Sequence, residues 1–171
     1  MLDPHDILRD VLAEHSDHDK WVGTPFERIK RVSNSTVGDV GQAFVERLCE
    51  ELGFDIEVPR SPDGKRLRQS PWDISIEDVT FELKTATEDI GGSFQFNHLR
   101  YHREYDAVLC IGIAPADIYM GSWTKADVAT GAAGKLISME KGANASYKLI
   151  KRPDQLHPIS EFAARVLNVL A

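Results

Sequence analysis

From Asp73 to Lys84 apolar and polar residues alternate almost without a break, and that spacing predicts a half-buried β-hairpin. With residues 77 and 78 as a two-residue loop, Ile76 falls opposite Val79, Ser75 opposite Thr80, Ile74 opposite Phe81 and Asp73 opposite Glu82. Ile74, Ile76, Val79, Phe81 and Leu83 then share one face, and Asp73, Ser75, Thr80, Glu82 and Lys84 share the other. A slip of one residue would bury the charges and expose Phe81, so the register is self-consistent. The turn argues the other way. Glu77-Asp78 is not the Asn-Gly or Asp-Gly pair that tight primed turns favour, and a longer loop would change the register.

Upstream, Ile7, Leu8, Val11 and Leu12 sit at helical spacing after Asp3-Pro4, and Arg28 to Val32 begins a short helical turn. A longer helix runs from Asn34 or Ser35, either of which can cap it, through Val37, Val40, Phe44, Leu48 and Leu52 to a terminating Gly53. Gly38 and Gly41 lie inside it, each costing about 1 kcal/mol relative to Ala. Either something approaches the backbone closely there or the first turn is irregular. Residues 54–58 are a short strand and 59–71 a loop marked by prolines and Asp63-Gly64.

After the hairpin, residues 86–96 read as a loop that ends extended, and Asn97 to Asp106 as a helix. Ala107 to Ala114 is a continuous apolar run of strand length, the mark of a strand covered on both faces. Residues 117–123 form the next strand, 125–136 a short helix entering a glycine-bearing loop, 146–150 a last strand, and 158–170 a terminal helix. The fold class expected is α/β, in one domain spanning 1–171.

The composition is that of a soluble globular chain: 42% hydrophobic and 27% charged residues over 171 positions. Cys49 and Cys110 each lie in an apolar run and are expected to be buried free thiols, as in a reducing compartment. No basic segment followed by an apolar stretch opens the chain, and no run approaches the length of a membrane span. The expected location is cytoplasmic. A net charge of −7 argues against a non-specific nucleic-acid coat. It does not exclude a DNA enzyme, because acidic metal ligands count against the total until a cation binds.

The polar face of the hairpin is where chemistry enters. Directly opposed strand residues have Cβ atoms about 4.5 to 5.5 Å apart, so Asp73 and Glu82 are forced together and repel unless compensated. A hard divalent cation such as Mg²⁺ is the natural compensator. Lys84, two residues along on the same face, stands where an amine orients or deprotonates water acidified by a cation. The plain alternative is a charged solvent face, which hairpins often show.

Asp73, then eight residues, then Glu82-Leu83-Lys84 resembles the motif of the PD-(D/E)XK nuclease superfamily, here with Pro71-Trp72 before the aspartate. The segment Gly38 to Leu48 is similar to that family's first core helix, and residues 94–113 to its helix followed by a buried strand. The resemblance covers about residues 35–125 and is nearest to small type II restriction endonucleases and their mismatch-repair nicking relatives. It implies a restriction-endonuclease-like mixed β-sheet flanked by helices, with helical extensions at both ends, and Mg²⁺-dependent hydrolysis of double-stranded DNA, Mn²⁺ substituting. It further implies that Asp73, Glu82 and the Leu83 carbonyl hold the metal, that Glu46 supports the site with Gln42 one turn earlier, and that Lys84 positions the attacking water. Family enzymes often act as homodimers.

The expected DNA contacts are Gln95, Asn97, His98 and Arg100 at base edges and Arg103 at phosphate, with Lys65, Arg66 and Arg68 in the long loop as further phosphate contacts. Each has a plain reading: Asn97 as a helix cap, His98 with His102 on a wet helix face, the loop cations simply solvated. His98 and His102 have the spacing of two zinc ligands, but nothing completes a zinc set. Thr130 to Leu136 lacks the residues of a phosphate loop, and no nucleophile elbow occurs. Trp21, Trp72 and Trp123 read as core or rim aromatics. Nicking, repair or junction cleavage on the same fold stays open. So does a non-catalytic module binding DNA or protein.

Overall fold

In the computed structural model, which describes residues 3–15, 20–67 and 69–171, Asp3 caps helix α1 (Pro4–Glu14) through the His5 N–H at 2.9 Å. Residues 27–31 form a turn of 3₁₀ helix. Helix α2 (Asn34–Glu51) is capped by Ser33, whose hydroxyl accepts from the Thr36 N–H at 3.3 Å. The cap therefore lies one residue before Asn34. Gly53 follows the helix at φ +79°, a value glycine tolerates, and ends it as expected.

Strands β1 (Ile56–Glu57), β2 (Ile74–Ile76) and β3 (Val79–Thr87) make an antiparallel meander. The chain then leaves through β4 (Phe94–Leu99), and β5 (Ala107–Ile113) returns parallel to β3. Strand β6 (Ile118–Thr124) pairs antiparallel with β5, helix α3 (Lys125–Thr130) follows, and β7 (Leu136–Glu140) and β8 (Ser146–Lys151) form a hairpin. The short β9 (His157–Pro158) pairs with β6 before helix α4 (Phe162–Leu170). The result is a mixed six-stranded sheet, β1-β2-β3-β5-β6-β9, and a second sheet, β4-β8-β7, with helices flanking.

Period two along β5 explains the layering. Ala107, Leu109, Ile111 and Ile113 join one core with Val45 and Cys49 of α2 and Phe162 and Val166 of α4. Val108 and Cys110 join a second core with Phe94, Phe96 and Leu99 of β4 and Leu149 of β8. Every residue of β5 is buried, as a doubly covered strand requires. Trp21 lies in the first core; Trp72 and Trp123 pack on the edge of the second.

The helix expected at Asn97 to Asp106 is absent. Residues 94–99 are strand and the following residues are turns, so Asn97 caps nothing and His98 and His102 share no helix face. The crossover from β3 to β5 thus carries a strand where the resemblance implied a helix.

The hairpin has the expected register: Ile74 with Phe81, Ser75 with Thr80, Ile76 with Val79. Glu77 and Asp78 form the two-residue loop, at φ +48° and +66°, both in the left-handed region of a primed turn. Asp55 anchors it, its carbonyl accepting the Glu77 N–H at 2.9 Å and its N–H donating to Glu77 Oε1 at 2.8 Å. Asp78 carries the backbone strain without such an anchor. Asp78→Gly is expected to raise stability by up to about 1 kcal/mol, since glycine removes the left-handed penalty. The check is the urea midpoint at constant slope; an unmoved midpoint would show that the turn is not strained.

Candidate active site

The β2–β3 ladder covers only Val79 to Phe81 on β3. From Glu82 onward β3 is bonded to β5 on one side and has an open edge on the other. Asp73 sits at that opening. Its N–H donates to the Phe81 carbonyl at 2.9 Å, and its Oδ2 accepts from the Leu83 N–H at 2.8 Å. The N–H and C=O of one strand residue point to the same side, so the Leu83 carbonyl shares the open edge with the Asp73 carboxylate. The bond to Leu83 also puts Oδ2 within about 5 Å of the Glu82 Cα, given standard backbone dimensions.

Glu82 and Lys84 point to the other face, the one covered by the second sheet, because their β5 partners are Val108 and Cys110. This polar face is no wet surface. Glu82 is 4% exposed and Ser75 is buried with it. Lys84 Nζ bonds Glu82 Oε1 at 3.0 Å. The charge compensation that the sequence demands is thus supplied in part by the protein, through Lys84 on Glu82 and the Leu83 N–H on Asp73. It is not complete: Glu82 Oε2 is buried and makes no hydrogen bond among the described residues. A buried carboxylate oxygen without a donor is costly, and this one is free to accept from a water or to bind a cation.

Two residues outside the expected metal and catalytic set border the site, one of them the Gln42 named beside Glu46. Gln42, buried on α2, donates from Nε2 to the Asp73 carbonyl at 3.2 Å, while its Oε1 has no partner among the described residues. Its signal in the sequence is a polar side chain in line with the buried stripe Val37, Gly41, Val45 and Cys49. Tyr105 contributes a buried hydroxyl that also lacks a partner among the described residues. Burial pushes that phenol well above its usual range, and the charge of Glu82 pushes it further. Cys110, behind Lys84, is likewise raised by burial, and Cys49 is pushed up to about 12. Both cysteines are buried free thiols, as expected. Glu46 bonds Arg60 at 2.9 Å, so on α2 it is Gln42 that touches the motif.

Lys84 opens into a cleft of about 360 Å³ that is also lined by Asn34, Asp89, Gln95, Asn97 and His98. The structure therefore brings three of the expected base readers to the amine. Their freedom differs. The Gln95 amide donates to Asp89 at 3.1 Å and accepts from Lys148 at 3.0 Å. His98 Nδ1 lies 2.9 Å from Glu140, which Arg100 also approaches at 3.5 Å. Asn97 is exposed, and its amide bonds none of the described residues. Burial would raise the Asp89 carboxyl, but hydrogen bonds from the Ser93 N–H and Gln95, aided by Lys20, hold it below its usual range. Arg103 lines a separate cleft with Pro71 and His102. Arg66 bonds Asp39 of α2 at 3.1 Å, and Lys65 reaches Asp63 at 3.8 Å. Arg68 lies outside the described residues.

Among the described residues no three His, Cys, Asp or Glu side chains stand close enough to form a metal set by themselves, and no helix is long and apolar enough to cross a membrane. The donors that fit a hard cation are oxygens: the Asp73 carboxylate, the unpartnered Glu82 Oε2 and the Leu83 carbonyl. No family model matches the chain, and no curated protein matches it.

Proposed function

We propose that this chain is a Mg²⁺-dependent nuclease of the restriction-endonuclease-like type that hydrolyses double-stranded DNA. The observation that carries the reading is the buried Glu82, bonded to Lys84 through one oxygen and without a partner among the described residues on the other, across the hairpin from an Asp73 whose carboxylate the Leu83 N–H holds. The order of α2, an antiparallel meander and a parallel return strand supports the likeness; the strand in place of the crossover helix departs from it.

Asp73 Oδ1, Glu82 Oε2 and the Leu83 carbonyl would hold the cation, with Mn²⁺ able to replace Mg²⁺. When bound, the cation supplies Lewis-acid stabilisation of charge on the phosphate and acidifies water. The protein's own contributions are positional. The Leu83 N–H fixes the Asp73 carboxylate, the Gln42 amide holds the backbone that carries it, and Glu82 holds the Lys84 ammonium at the mouth of the cleft. There its N–H groups can orient an incoming water and donate to charge that develops on the phosphate oxygens. Asn97, with an uncommitted amide in the same cleft, is the side chain best placed to read a base edge. Cutting both strands would take two such sites, hence a homodimer.

The Lys84–Glu82 bond favours one second reading, a DNA- or protein-binding module in which the pair is structural. Plasmid DNA incubated with Mg²⁺, beside Asp73→Ala and Lys84→Ala, separates the readings. Discrete fragments from the wild type alone are expected. Nicked circles alone would place the enzyme among nicking or repair nucleases. Equal inactivity of all three proteins would leave the binding module.

A further inference from the structure

Helix α1 has no buried residue. Ile7, Leu8, Val11 and Leu12 are 44, 59, 42 and 61% exposed, and their spacing places them in one stripe. Among the described residues, the hydrogen bonds and ion pairs of α1 stay within the helix and its cap. Single exposed apolar residues are ordinary, but an isolated helix shorter than about 12 to 15 residues is marginal in water. This one has 11. Its persistence calls for a surface to lie on.

The same chain carries a surface of matching shape. Helix α2 buries one stripe against the sheet and carries a second at its border: Val40 is exposed, while Phe44 and Leu48 are half-buried, packed on the core and still lining the surface. Along it runs an apolar groove of about 510 Å³ that also takes in Arg47. It continues over Val40 and Phe44 into a smaller one lined by Phe26, Ile29 and Arg28. From Val40 to Glu51 the groove follows α2 for about 16 Å, and an 11-residue helix is about 16 Å long at 1.5 Å per residue. The charges also match. At 100° per residue Asp3, Asp10 and Glu14 fall along one edge of the α1 stripe, next to Ile7. Arg9, the one cation in α1, is bonded to Asp6 at 2.6 Å. The groove offers Arg28 and Arg47, with Glu51 at its far end, so cations outnumber the one carboxylate along it.

We infer that α1 of one chain seats in the α2 groove of a second copy, and that the exchange is reciprocal. The helix stands clear of its own groove, and a two-fold axis lets both helices and both grooves be covered at once. Ile7 and Val11 lie against Phe44 and Leu48, with the acidic edge on Arg47. This dimer is independent of the nuclease reading, since neither the helix nor the groove touches the Asp73–Glu82–Lys84 site.

The test is the mass of the full chain in solution by light scattering, for wild type, Leu8→Glu, which spoils the helix, and Val40→Glu, which spoils the groove. Both positions are exposed, so the fold is retained, with circular dichroism as the check. A wild-type dimer is expected, with each variant weakened by about tenfold or more and monomeric where the wild type is not. A one-to-one mixture of the variants restores one good seat and so regains dimer that neither forms alone. A monomeric wild type would overturn the proposal, whether α1 is free or folded onto its own groove. So would variants that dimerise like the wild type, or a mixture that stays monomeric.

Discussion

Glu82→Gln is expected to lower DNA hydrolysis by about three orders of magnitude or more while leaving the chain folded. Glutamine keeps the shape of the side chain and an oxygen that can still accept from Lys84 Nζ, now at 3.0 Å from Glu82 Oε1. What it removes is charge. Cation-assisted phosphoryl chemistry draws several kcal/mol of transition-state stabilisation from the metal its carboxylates hold. At 1.36 kcal/mol per tenfold, about 4 kcal/mol corresponds to three decades. Against this stands a modest stability cost, about 1 to 3 kcal/mol, for weakening a hydrogen bond to a charged group. The cost falls toward the low end because Lys84 keeps some contact with water.

A binding measurement separates the two effects. Mg²⁺ should raise the melting temperature of the wild type, by as much as about 2.7 kcal/mol of added stability at a hundredfold excess over the dissociation constant, and leave Glu82→Gln unmoved. Lys84→Met, which keeps the apolar stem and removes the amine, should retain the cation effect but lose about 10² to 10⁴ in rate. If Glu82→Gln cut DNA like the wild type, the ion pair would be a structural feature and the site would lie elsewhere.

The hairpin that supports this prediction was legible because local pattern and register agree: one slip would have buried Asp73 and Glu82 and exposed Phe81. The Glu77-Asp78 turn looked unsuitable by its residue types, yet contacts to Asp55 hold Glu77 in a left-handed conformation that propensity alone would not favour. The segment after it misled for a definable reason. Phe94 and Phe96 alternate as a strand should, but a bulge before Leu99 inserts one residue, with His98 at φ +57°. Phe96 and Leu99 are therefore three apart, which is helical spacing.

Strand β7 is largely exposed and carries no period to read. The second sheet as a whole depends on pairing Phe94 with Lys151, a contact no local pattern encodes. At the candidate site, residue types singled out Asp73, Glu82 and Lys84, but burial could not be foreseen. The polar face read as either metal site or wet surface, and a second sheet covers it. Gln42 was visible only as a neighbour of Glu46, and it takes the structure to show which of the two reaches Asp73.

Gly41→Ala and Gly38→Ala, three residues apart on one helix, are expected to shift stability in opposite directions. By helix propensity both should gain up to about 1 kcal/mol. At Gly38 a new Cβ meets nothing within 4 Å, so the gain stands. At Gly41 the Cβ would lie 1.8 Å from Thr85 Oγ1, 2.7 Å from Thr85 Cβ and 2.8 Å from its Cγ2. Rotating the threonine relieves the first and third contacts but not the second, because its Cβ is fixed to the β3 backbone. Helix α2 must then move off the sheet. Overpacking of this kind costs about 1 to 3 kcal/mol and at times more, which exceeds the propensity gain. A net loss of about 2 kcal/mol is expected, read from urea midpoints.

The displacement also bears on the site, since Gln42 is the next residue and holds the Asp73 carbonyl at 3.2 Å. Gly41→Ala should therefore lose hydrolysis beyond what its unfolded fraction explains, and Gly38→Ala should not. Thr85→Ala combined with Gly41→Ala should recover part of the stability, because two of the three contacts disappear and only the 2.7 Å approach remains. A Gly41→Ala protein as stable as the wild type would mean that α2 packs on β3 less closely than these distances require, and the close approach that explains one of the two helix glycines would be lost with it.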